Sequence, residues 1–246
     1  MSRWKAAAIH LSISILIGLL AVALIFGVWY PPPYSHAAGA DHLVLVLLCV
    51  DAVLGPTLTL IVYRHGKKGM RFDLVVIAVL QVCAFSYGLH VVTGSRPAFI
   101  VAAVDRFVMV AANELEAADL AKGREPQFRS LSWTGPRIVY AQRPENRTDR
   151  NDLLFSGADG KDLEKFPRYY VDYTAHAASL LERAIPLDKV HDTPAAHALL
   201  DAWLLDHSHA RADVVWLPLV ARRDDMTMLL DRSTGEVLGA LPIDPW

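Results

Sequence analysis

Three apolar blocks, each close to the length of a bilayer crossing, fill the first third of this chain and decide its class. They run approximately Ile9 to Tyr30, Leu43 to Tyr63 and Phe72 to Val92. A helix rising about 1.5 Å per residue needs ~20 residues to cross roughly 30 Å of hydrocarbon, and each block supplies them. The spacing predicts a three-helix transmembrane region over 1–93, with spans near 9–30, 43–63 and 72–92. The remainder, 94–246, reads as an exported α+β domain.

Charge at the flanks sets the expected orientation. Arg3 and Lys5 precede the first block, and Arg64, Lys67, Lys68 and Arg71 fill the loop "RHGKKGMR" between the second and third. Basic residues stay on the cytoplasmic side, so that loop and the N-terminus are expected in the cytoplasm. The loop "PPPYSHAAGADH", without Lys or Arg, is then outside, and so is everything after Thr93. A cleaved signal peptide over the first ~40 residues is the alternative, since Arg3 and Lys5 resemble a charged n-region and "AAGA" offers small residues to a peptidase. Against it stand the length of the first block, the interfacial anchor expected at Trp29, Tyr30 and Pro31 to Pro33, and the two blocks that follow.

Residues 1–93 carry a net charge of +3 and the remainder −5. The exported part therefore has no basic stripe, and nucleic acid is not an expected partner. Cys49 and Cys83 both fall inside apolar blocks, which leaves that part without a disulfide framework.

The second block raises a question of its own, because "VDAVLGPTLTLIVY" places an acid, Asp51, and a helix breaker, Pro56, within a membrane span. Helical spacing puts Asp51, Gly55 and Thr59 on one face. In the third block Asp73, Ile77 and Gln81 share a line that Ala84 and Gly88 continue, and Ser14, Gly18 and Ala21 form a small seam in the first. Small residues let helices approach and polar ones bond across them, so the three should pack as a bundle. Counted from the basic loop, Asp51 and Gln81 lie at comparable depth, roughly 18 and 14 Å. A bond between them is expected, and Pro56 should bend its helix and free the carbonyl of Ala52. Two readings of Asp51 follow: polar glue for the bundle, or one side of a kinked groove that receives another transmembrane segment or a proton.

In the exported part "PAFIVAAVDRFVMVAANEL" reads as two β runs around Asp105 and Arg106, then a helix capped by Asn113 with Glu116 at its third position. "PRIVYAQRP" is a strand, "DLEKFPRYYVDYTAHAASLLERAIPL" mostly helix, and Thr193-Pro194 opens another helix. The runs "DVVWLPLVAR", "DMTMLLD" and "GEVLGALPI" predict a small antiparallel sheet, with "RSTG" turning the last hairpin. Asp105-Arg106 near Arg96 could be an acid and base at a site, though an ion pair fixing a strand end is the commoner arrangement. His207-x-His209, with His191 and His197, has no defined ligand set around it, so no metal is expected. There is no nucleophile elbow, zinc-protease motif or phosphate-binding glycine loop, and the chain is read as no enzyme and as needing no cofactor.

Taken in order, "RWKA" before the first block, "VDAVLGPTLTLIVY", "GKKGMRFDL", "SRP", "VDRF" and the terminal "PIDPW" resemble the type IV pilin accessory proteins, the family called TfpX/TfpZ, with FimB used for some members. The positions that carry the resemblance are Asp51, Gly55, Pro56, Lys67, Lys68, Phe72, Asp73, Arg96, Pro97, Asp105, Arg106 and Phe107. It implies a multi-pass inner-membrane protein that assists pilin assembly in a chaperone-like way. Its partners would be membrane lipid and a type IV pilin or the pilus assembly machinery. Type IV pilins carry an apolar N-terminal helix with one acidic residue. The candidate partner-binding residues are Asp51, Gly55, Pro56, Thr59, Gln81, Asp105 and Arg106. The rival readings are a membrane-anchored periplasmic ligand-binding or sensor protein, or a membrane enzyme or proton-linked transporter using Asp51.

Overall fold

The computed structural model of the protein describes residues 2–158, 160–190 and 193–246. Helix α1 (Arg3–Leu24) opens on Ser2, whose hydroxyl accepts from the Lys5 amide, and widens into a π turn over Ile25–Trp29. The single turn α2 (Tyr34–Ala37) leads to a second long helix built from α3 (Ala40–Cys49), a π turn at Val50–Leu54 and α4 (Gly55–Val62). Helix α5 (Met70–Ser95) follows Gly69, which enters it with a left-handed φ of 85°. These make three helices long and apolar enough to cross a membrane, Arg3–Trp29, Ala40–Val62 and Met70–Ser95.

Their packing follows the small-residue seams. Ser14, Gly18 and Ala21 face inward on α1. A Cβ on Gly18 would sit 2.7 Å from Leu48 Cδ2, and one on Gly88 would sit 2.6 Å from Leu47 Cδ1, so each glycine receives a leucine of the second helix. The outward faces keep Leu16, Leu20, Val75 and Val79 exposed, as a lipid-facing surface requires.

One residue, Arg96, separates α5 from strand β1 (Pro97–Ala103), which turns back as β2 (Arg106–Ala111). Then come α6 (Ala117–Leu120), β3 (Arg137–Ala141), α7 (Arg147–Ala158), β4 (Tyr170–Asp172), α8 (Ala177–Leu180) and β5 (Ile185–Pro186). Helix α9 (Pro194–Asp206) precedes β6 (Val214–Val220), β7 (Met226–Asp231) and β8 (Val237–Leu241). Among the described residues the strands form one sheet in the order β4-β3-β1-β2-β6-β7-β8, with β5 added against β6. The fold is therefore three apolar helices followed by an α+β region, as the sequence predicts.

The sheet is larger than expected and mixed rather than wholly antiparallel, because β1 pairs β3 and β2 pairs β6 in parallel. Strand β1 is buried along its whole length, which its unbroken apolar run "PAFIVAA" already suits. The three tail strands and the "RSTG" hairpin appear where predicted, and Thr193 caps α9 by accepting from the Ala196 amide at 3.2 Å. Two local expectations fail. The Ala111 amide donates to the Glu114 carboxylate at 2.8 Å, and the one-turn α6 starts only after Glu116, so Asn113 is no cap. The stretch after Asp162 is mostly turns around β4 and not helix. Its aromatics go into the sheet core instead, with the Tyr170 ring 5.1 Å from Phe99 and the Tyr173 ring 5.9 Å from Phe107. Burying those rings against β1 and β2 outweighs the helical preference of their neighbours.

The largest core crosses the expected boundary near residue 93. Ile25, Trp29, Tyr30, Val44, Leu47 and Val92 from the helices share it with Ile100, Phe107, Leu217, Leu219 and Met226 from one face of the sheet. The opposite face is covered in two patches, one around Phe99, Phe128 and Tyr170 and one where α9 lies over Trp216 and Leu229. Trp29 and Tyr30, expected as an interfacial anchor, are buried in the shared core, and Tyr30 donates its hydroxyl to the Val92 carbonyl at 2.7 Å. Polar bonds tie the same junction: Arg223 N donates to Ala37 O at 3.0 Å, and its guanidinium meets the Asp41 carboxylate at 3.1 Å.

Candidate functional site

The polar stripe of the second helix lies inside the bundle. Pro56 has no N–H to offer the carbonyl of Ala52, and the helix answers by widening into the π turn over Val50–Leu54 rather than by a simple bend. The carbonyl that gains a new partner is that of Asp51, not Ala52. Gln81 Nε2 donates to Asp51 O at 3.3 Å and to Asp51 Oδ1 at 3.1 Å, so the two polar residues meet as their depths predict. Gly55 makes the contact possible, since a Cβ there would lie 1.9 Å from Gln81 Nε2. Asp51, Gly55, Pro56 and Thr59 all face inward.

Thr59 has a partner that the sequence reading missed. His10 of α1 places Nδ1 2.6 Å from the Thr59 hydroxyl, so the polar line continues from the third helix through the second to the first. The signal was available: His10 stands four residues before Ser14 and eight before Gly18, on the line of the small-residue seam.

Beside this line lies a groove of about 340 Å³ between the second and third helices. Leu43, Leu47, Val50, Phe85 and Val91 are among its walls, and Asp51 and the phenol of Tyr87 are its polar lining groups. The arrangement offers an apolar trough with one carboxyl partway along it.

Asp105 and Arg106 stand elsewhere, Asp105 in the turn of the β1–β2 hairpin and Arg106 at the start of β2. Arg106 grips its neighbour through Nε to Oδ1 at 2.9 Å and Nη2 to Oδ2 at 3.3 Å. That bond holds the Asp105 carboxyl below the usual range, although burial opposes it. The same guanidinium lies 5.5 Å from the Trp246 ring, whose Nε1 donates to Asp225 at 2.6 Å. Val104 in this turn has a φ of 62°, a strained value for a β-branched residue. The turn forms one wall of a cleft of about 670 Å³, opposite Arg143, Arg150 and Leu153. Arg96 belongs to neither place: the seven residues of β1 separate it from the turn. The rings of His207 and His209 each stack with Trp203, with centroids 4.4 and 5.5 Å away, while His191 lies outside the described residues.

Residues 1–39 match the family model described as fimbrial assembly protein FimB. Along 244 residues the chain is 26% identical to a fimbrial assembly protein of serogroup I from Dichelobacter nodosus, covering 98% of this chain and 95% of the relative. The serogroup E1 protein of the same organism is 25% identical over the same shares of both chains. A fimbrial assembly protein of serogroups C1 and C2 is 34% identical over 103 residues, which are 41% of this chain and 79% of that relative. No solved structure matches.

Proposed function

The chain belongs to the FimB family of fimbrial assembly proteins, and on that premise we propose that it acts in fimbrial assembly as an accessory, chaperone-like factor for a type IV pilin at the bacterial inner membrane. The observation that carries this reading is the apolar groove with Asp51 on its wall, a shape and chemistry suited to one apolar helix bearing a single polar group. In this reading the groove holds the pilin's membrane segment before polymerisation. The sheet and the Asp105–Arg106 cleft then face the pilin's globular part. Strands β4 and β8 end the sheet, and an added strand could pair with either edge. The fit is one of binding and holding, which needs no catalytic group.

The test uses three variants in the piliated host, with surface pili counted at measured protein abundance. Asp51→Asn keeps an amide partner for Gln81 and should leave the protein abundant while pili fall. Pro56→Ala restores an amide donor, tightens the π turn and should give a similar loss. Gly55→Ala expels the Gln81 amide; transmembrane hydrogen bonds average roughly 0.6 kcal/mol, so abundance should drop only modestly. Normal piliation in the first two variants would reject the groove and leave Asp51 as a structural tie.

Orientation belongs to the same proposal. The basic loop between the second and third helices is placed in the cytoplasm and the α+β region in the periplasm. A reporter active only outside the cytoplasm should work when fused after Trp246 and be silent when inserted at Lys68. The reverse pattern would remove the pilin's globular part from reach and end the model.

A further inference from the structure

We propose that the loop 130–135 is a membrane-interface element, and that Trp133 anchors it in the phospholipid headgroup layer at the sheet-proximal ends of the helices. The inference rests on the reading that the three apolar helices cross a bilayer. It starts from a vacancy in the usual arrangement. Aromatic residues at a span end normally sit among the headgroups, where an indole or phenol has both an apolar and a wet neighbour. Here Trp29 and Tyr30, the aromatics at that end of the first helix, are 6% and 0% exposed and belong to the shared core. Trp133, far away in sequence, is 69% exposed.

Its depth is fixed by bonds to two helix ends. Gly135 N donates to Val28 O at 2.8 Å, in the last turn of the first helix. Gly135 also passes so close to Pro31 that a Cβ would lie 2.9 Å from Pro31 Cγ. From the third helix, Arg96 donates through Nε and Nη2 to Ser132 O at 3.3 and 3.1 Å, and through Nη1 to Thr93 O at 2.6 Å. Arg96 is itself buried, so its guanidinium is committed to the loop and to the α5 terminus. The guanidinium also lies 5.5 Å from the Trp133 ring and supports one face of the indole. A rigid loop thus presents a half-supported indole level with the ends of the first and third helices.

The opposite end of the first helix supplies the matching indole, Trp4, which is 65% exposed. The helix between them, Arg3–Trp29, has 27 residues. At 1.5 Å each that is about 40 Å, close to the ~40–45 Å of a bilayer with its headgroups. Trp4 and Trp133 therefore bracket the membrane as an aromatic belt whose one half comes from outside the spans.

The full-length protein in phospholipid vesicles tests this through quenching of tryptophan emission by lipids brominated either near the headgroup or near the chain end. Trp133→Phe should remove an emission component that headgroup-proximal bromine quenches more strongly than terminal bromine. Trp203→Phe, on the far face of the sheet, should remove a component that neither lipid quenches. If the Trp133 component is unquenched while the component lost in Trp4→Phe is quenched, the loop proposal fails and the spans stand. If neither is quenched, the helices are not in the bilayer and both readings fall.

Discussion

Tyr30→Ala is expected to destabilise the purified, detergent-held protein by roughly 3–5 kcal/mol, the range for deleting a buried aromatic side chain. Tyr30 is fully buried where the first helix meets the sheet, among Ile25, Val92 and residues of β1, β2, β6 and β7. Removing it opens a cavity at the junction itself and leaves the Val92 carbonyl without its donor. Tyr30→Phe keeps the ring and loses only the hydrogen bond, about 1 kcal/mol. Thermal unfolding followed by circular dichroism separates the two. If Tyr30→Ala melts like the parent, the helices and the sheet do not share a core, and the description of the junction is wrong. The same core has a consequence for the segment from Ser95 to Trp246. Freed of the helices, it exposes the apolar face formed by Ile100, Phe107, Leu217, Leu219 and Met226 and should self-associate without detergent.

Gly235→Ala should be comparably damaging, for a backbone reason. Gly235 ends the "RSTG" turn with a φ of 77°, and a Cβ there would lie 2.3 Å from the Ala177 carbonyl oxygen. That neighbour is main chain, so it has no rotamer to escape into. Tyr173 fixes the approach from the other side by donating its hydroxyl to Gly235 O at 2.6 Å. Left-handed backbone and overpacking together cost roughly 2–5 kcal/mol. The turn has little freedom to relax, because Asp231 Oδ1 accepts from the Ser233 and Thr234 amides and both hydroxyls, bonds that hold its carboxyl down to about 2. Gly66→Ala is the comparison: it has the same φ of 77° but nothing within 4 Å, so it carries the conformational cost alone. Melting both variants side by side isolates the contact with Ala177. Equal shifts would show that the hairpin moves away from α8 at no cost.

The Asp51–Gln81 bond was legible because two helices of known rise, entering from the same loop, leave depth and face as the only unknowns, and both follow from counting. His10 obeys the same arithmetic, since it stands four residues before Ser14 and eight before Gly18 on the inward seam of the first helix. The cleft around Asp105 and Arg106 was not legible at all. Its far wall comes from Arg143, Arg150 and Leu153, and nothing in those residues announces that β3 will lie parallel to β1 and carry them there. Asn113 and the stretch after Asp162 went wrong for a related reason: cap signals and helix propensity amount to about a kilocalorie per residue or less, which burial of Tyr169, Tyr170 and Tyr173 overrides.

By itself the sequence determined that three helices are long and apolar enough to cross a membrane, which residues line their inward seam, and that strands of the tail form hairpins, since these depend on composition, rise and turn chemistry within short windows. The tertiary structure alone decided the mixed order of the sheet, the burial of Trp29 and Tyr30 in a core shared with it, and the exposure of Trp133 in their place. Those outcomes depend on which apolar faces meet, and a face of Ile, Leu or Tyr is the same whether it will pack on a neighbouring strand, a distant helix or lipid.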